Sequence, residues 1–98
     1  MGKLLQDDRP FEVSVLARRH VYPLPDGQTF TLVSAEDIIL LKLEWYRLGG
    51  NASERQWLDI LGVLEVQAGK LDSAYLDHWA TDLGVGDLLQ RARQESGV

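Results

Sequence analysis

The sequence predicts an α+β fold in a single small domain: a short N-terminal helix and a β-hairpin, followed by a bundle of about four α-helices. Three observations predict it. A Pro25-Asp26-Gly27 turn separates two β-forming runs. From Ser34 onward, apolar residues recur at helical spacing behind capping side chains. Glycines at 49–50, 69 and 84 punctuate that helical half.

The first helix opens at Asp8-Arg9-Pro10, where proline occupies a first turn that does not need its N–H. Phe11, Val13, Val15 and Leu16 suit either a helical turn or an extended segment, and the reading adopted is helix through Arg18. His20–Leu24 and Gln28–Val33 form the hairpin. Its first strand is short and lies at an edge, because Pro23 and Pro25 cannot donate ladder hydrogen bonds.

Ser34-Ala35-Glu36-Asp37 caps the next helix, with a hydroxyl for orphan N–H groups and acids favoured by the helix dipole. That helix runs to about Leu48. It is apolar around most of its circumference, as a central buried helix would be. Ser53-Glu54-Arg55-Gln56 is a capping box for a helix from Glu54 to about Ala68, with Trp57, Ile60, Leu61 and Leu64 on one face. Asp72 or Ser73 caps a third helix, whose core face is Tyr75, Leu76, Trp79 and Leu83 and whose stop is Gly84. A last helix begins near Asp87 and frays before Gly97.

Composition excludes several classes of function. The 98 residues suffice for one modest core, and 45% hydrophobic content is too high for a disordered tail. Without cysteine there is no disulfide framework, zinc knuckle, iron–sulfur cluster or thiol nucleophile. The net charge of −5 argues against nucleic acid as a partner. Seven acidic and two basic residues lie between Glu54 and Asp87, so the helical half carries that whole charge. Such a face reads first as a solvated surface, and second as one that favours a basic partner. No signal-peptide core or membrane-length apolar run is present, so the expected setting is cytoplasmic.

Few residues point to chemistry. Lys42 lies on the apolar stripe of Ile38 and Trp45, where an ammonium must snorkel, pair or meet an anion. Arg55 and Asp59 stand one turn apart, as an intrahelical ion pair would, and a functional reading needs Asp59 to meet Lys42 across the helix interface. Gly62, in a helix interior, predicts close approach by another helix. His20 and His78 lack companions at metal-ligand spacing, and no serine has a nucleophile-elbow context.

The segments Val33–Trp45 and Ser53–Gly62, continued more diffusely by Leu71–Leu76, Trp79 and Leu83–Val85, resemble the C-terminal half of bacterial minimal nucleotidyltransferases and AbiEii-type toxin relatives. The likeness covers roughly residues 7 to 96. It implies that Lys42, Arg55 and Asp59 flank a nucleotide site. The defining motifs of that family, a Gly-Ser helix start and an Asp-x-Asp pair that holds two magnesium ions, have no counterpart here. The adjacent acids Asp7-Asp8 and Glu36-Asp37 have the wrong spacing, and Leu58 and Gly62 stand where relatives carry charge. The resemblance therefore implies a truncated or split nucleotidyltransferase-like domain with no catalytic residues, metal site or cofactor of its own. Its expected partner is a complementary half or another protein. The rival expectation is an independent acidic helical module, either antitoxin-like or a homo-oligomer. An active nucleotidyltransferase subunit is the third reading.

Overall fold

The computed structural model describes residues 10–97 and has the predicted α+β architecture, in the order α1 (Pro10–Arg18), β1 (His20–Pro23), β2 (Thr29–Leu32), α2 (Ala35–Leu48), α3 (Glu54–Val66), α4 (Ser73–Leu83) and α5 (Gly86–Ser96). The expected start of the first helix at Asp8-Arg9, and the pair Asp7-Asp8, lie outside the described residues. The chain divides into two compact units between Ser34 and Ala35.

In the first unit, α1 starts at Pro10 and buries Phe11. The strands β1 and β2 pair antiparallel, with His20 opposite Leu32 and Tyr22 opposite Phe30. The turn is set by its side chains. Leu24 N–H donates to Gln28 O (2.7 Å), Gly27 N–H to Leu24 O (3.1 Å), and Gln28 N–H to Asp26 Oδ1 (3.1 Å). Gly27 has φ +89°, a conformation that costs glycine nothing and other residues a clash with Cβ. Every residue of both strands is exposed, so the alternation of polar and apolar residues along Thr29–Leu32 does not separate a core face from a wet one.

In the second unit the four helices form a closed cycle. The helix α2 packs on α3 and α4, and both of these pack on α5. The core is made by Ile39, Leu40, Leu43, Ile60, Leu64, Leu76, Val85 and Leu89, all almost wholly buried. Capping follows the sequence closely. Ser53 Oγ accepts from Gln56 N–H (3.2 Å) at the start of α3. Asp72 Oδ1 accepts from Tyr75 N–H (3.0 Å) at the start of α4, and Gly84 ends α4 in the left-handed conformation. One boundary differs: α3 stops at Val66, short of Ala68, while α5 begins at Gly86, beside the expected Asp87.

The helix α2 is not buried all round. Trp45 is 61% exposed and Leu48 82%, because they lie away from the sides of the helix that pack on α3 and α4. Its first turn is instead the buried part. Glu36 and Asp37, read as dipole-favoured acids on a helix end, are both buried. Glu36 Oε2 accepts from Asp72 N–H (2.8 Å), and Asp37 Oδ1 accepts from the Tyr75 hydroxyl (2.5 Å). The acids that favour the start of α2 thus also hold the start of α4.

At the other end of α2, Arg47 donates to Gly84 O (3.0 Å) and pairs with Asp87 (2.7 Å), so one guanidinium joins the end of α4 to the start of α5. Asp77 of α4 also accepts from Arg93 of α5 (2.6 Å). Replacing Asp37 by Ala removes a buried acceptor from the Tyr75 hydroxyl and is expected to cost about 1–3 kcal/mol in urea unfolding. Tyr75→Phe is expected to cost less than Asp37→Ala in the same assay.

Candidate functional site

The resemblance directs attention to Lys42, Arg55 and Asp59. Lys42 lies half-buried in the middle of α2, and Arg55 and Asp59 lie exposed on α3. Among the described residues, no side-chain hydrogen bond or ion pair joins the three to one another or to any other group. The expected Arg55–Asp59 pair is not formed, and Asp59 does not bond to Lys42. Both residues of the i, i+4 pair stand in water, where such a pair contributes only about 0.3–0.5 kcal/mol and the two side chains gain little from ordering. No bond among them marks the three as one centre.

Asp59 nevertheless has a distinct setting. It borders a cleft of about 460 Å³ between the first turns of α2 and the last turns of α3. The apolar wall is Ala35 and Ile38 from α2 with Leu58, Val63 and Val66 from α3. Asp59 and Gln67 supply the polar side chains, and Gly62 lies between them along α3. Leu58 is 59% exposed and Val66 74%, both on the face of α3 opposite the core residues Trp57, Ile60 and Leu64.

The sequence expectation for Gly62 is overturned here. A Cβ built on Gly62 would meet nothing within 4 Å, so no neighbouring helix requires the glycine. Its missing side chain instead keeps the cleft open.

The opposite flank of α3 is closed by a polar cluster that sequence reasoning did not find. Trp57 Nε1–H donates to Glu95 Oε1 (2.6 Å), and Arg91 Nε–H donates to Glu95 Oε2 (3.0 Å). The Arg91 guanidinium carbon lies 4.3 Å from the Trp57 ring centroid, and the Tyr46 ring centroid lies 5.0 Å from that of Trp57. The Trp57 hydrogen bond, and next the Arg91 hydrogen bond, hold the Glu95 carboxyl below its ordinary value. Glu95 in turn raises Arg91, and Arg47 lowers Asp87 in the same way. This cluster satisfies its own charges and joins α3 to α5. No local signal announces a partnership between residues 38 positions apart. Leu58 and Val66 do leave a trace, as apolar residues four positions either side of Gly62 on an otherwise polar face.

Among the described residues, no group of three or more His, Asp or Glu side chains is placed to hold a metal ion. No described helix is long and apolar enough to cross a membrane.

Two outcomes follow for stability. Gly62→Ala places a methyl group in open space inside a helix and is expected to raise stability by about 1 kcal/mol, read as a higher melting temperature. For Glu95, the folded carboxyl titrates below the ordinary 4.5, so its contribution is present above that pH and is lost as pH falls through the folded value. Wild-type protein is therefore expected to lose more melting temperature than Glu95→Gln between about pH 5 and about pH 3. In comparison with known proteins, the chain matches no family model, no curated protein and no solved structure.

Proposed function

We propose that this protein works by association with another protein, as the non-catalytic companion of a nucleotidyltransferase-like half. The observation that carries this reading is the amount of large apolar surface left outside the core. Val21, Tyr22, Phe30 and Leu32 are exposed on the hairpin, and Trp45, Leu48, Leu58 and Val66 on the helices. Surface of this kind marks interaction sites, and Leu58 and Val66 line one cleft together with Ile38 and Val63.

The resemblance of Val33–Trp45 and Ser53–Gly62 to the C-terminal half of minimal nucleotidyltransferases supplies the kind of partner: a chain with the Gly-Ser and Asp-x-Asp segments. In this reading the setting is a bacterial cytoplasm, and a toxin–antitoxin type of pairing fits the small acidic chain. The lack of a Gly-Ser helix start and of an Asp-x-Asp pair supports a role without chemistry for this chain.

The hairpin favours a second reading, self-association. Strand β2, Thr29–Leu32, contains no proline and is exposed throughout, so it offers an edge on which another strand can pair.

Titration of the purified chain with Mg-ATP tests the non-catalytic reading. No saturable heat is expected, and tight, metal-dependent binding would return Lys42, Arg55 and Asp59 to a nucleotide site. Sedimentation across a concentration series separates the two kinds of association, because only the homo-oligomer changes mass without an added partner.

A further inference from the structure

We infer that the cleft between α2 and α3 is a docking site for a basic amphipathic helix, whose apolar stripe seats over Gly62 and whose Lys or Arg pairs with Asp59. This inference rests on the association reading above and names its surface and its occupant.

The shape of the cleft selects a helix. Its walls are two α-helices, whose backbone groups, apart from the first N–H groups of α2 and the last carbonyls of α3, are consumed within the helices themselves. They offer no free edge on which a strand could pair, whereas a helix arrives with its own backbone bonds made. Ridges of one helix fit grooves between others, and the missing side chain at Gly62 leaves such a groove in the surface of α3. Leu58, Gly62 and Val66 follow at four-residue intervals, so the stripe extends about 12 Å along α3. That length matches apolar anchors at positions i, i+4 and i+7 of an incoming helix.

The charge of the cleft selects a basic partner. Asp59 is the one charged residue on its wall. It has no side-chain partner among the described residues, although Arg55 is one turn away. By contrast, Glu95, Asp77 and Asp87 are all engaged by arginines of the same unit. Asp59 also lies in the segment Glu54–Asp87 that carries the whole net charge of −5, so the long-range field of the unit favours a cation over an anion. An apolar wall with one available carboxylate is complementary to an apolar stripe with one cation.

The test uses a synthetic Leu/Lys amphipathic peptide of about 14 residues, four helical turns, titrated into the full chain by calorimetry. Saturable one-to-one binding is expected, with the peptide becoming helical on binding. Asp59→Asn is expected to weaken it roughly tenfold, the loss of one charge-assisted hydrogen bond. Gly62→Leu, whose side chain enters open space, is expected to abolish binding while circular dichroism stays native, and Leu58→Gln is expected to weaken it independently. Asp82→Asn on α4 is expected to bind as wild type.

Absence of binding overturns the inference, as does equal weakening by Asp59→Asn and Asp82→Asn, which would reveal unspecific charge attraction. Undiminished binding to Gly62→Leu overturns it as well. So does a wild-type dimer dissolved by Leu58→Gln, which would give the cleft to a second copy of the chain. If the peptide does not bind but the chain forms a complex that is lost on Tyr22→Ser and Phe30→Ser, association stands and the cleft assignment falls.

Discussion

The helical unit depends on two carboxylates buried where α2 begins. Asp37 and Glu36 are removed from water, and each holds a group at the start of α4: the Tyr75 hydroxyl for one, the Asp72 amide for the other. A buried acceptor is costly when left unsatisfied, so α4 has one well-determined place along α2. Asp72 completes the arrangement by capping its own helix, and one short segment thereby carries both the local start of α4 and its tertiary position.

From that fixed pair the rest of the cycle follows. Arg47, near the far end of α2, holds the end of α4 through Gly84 and the start of α5 through Asp87. The α5 helix then returns to α3 through Glu95 and Trp57, and to α4 through Arg93 and Asp77. Apolar burial supplies the main driving force, at about 25 cal/mol per Å² removed from water. It is non-directional, whereas these polar ties each accept one geometry. The division of labour explains why the acidic half of a −5 chain is not simply solvated surface: several of its acids are ties between helices.

A closed cycle of four helices has a further consequence. Each helix buries the sides that meet its two neighbours and leaves an outer side free. For α2 that outer side carries Trp45 and Leu48, and for α3 it carries Leu58 and Val66. The same geometry that completes the core therefore sets apolar residues outside it. At Gly62 that surface is concave, and Asp59 gives the cleft a charge.

Much of this was legible in the residues. Local chemistry determined the hairpin turn at Asp26-Gly27, the caps at Ser53 and Asp72, the stop at Gly84 and the buried face of α3, because each depends on side chains within a few positions of one another. The candidate site was less legible. Lys42, Arg55 and Asp59 are singled out by the resemblance, but whether they bond to one another is decided by how α2 and α3 pack. The same holds for the open space at Gly62, the exposure of Trp45, the burial of Glu36 and Asp37, and the Trp57–Glu95 bond. The sequence by itself determined where helices start, stop and carry apolar stripes, since those are short-range preferences of the backbone. Only the tertiary structure decided which stripe found a neighbour and which was left to solvent, since that is settled by contacts between residues tens of positions apart.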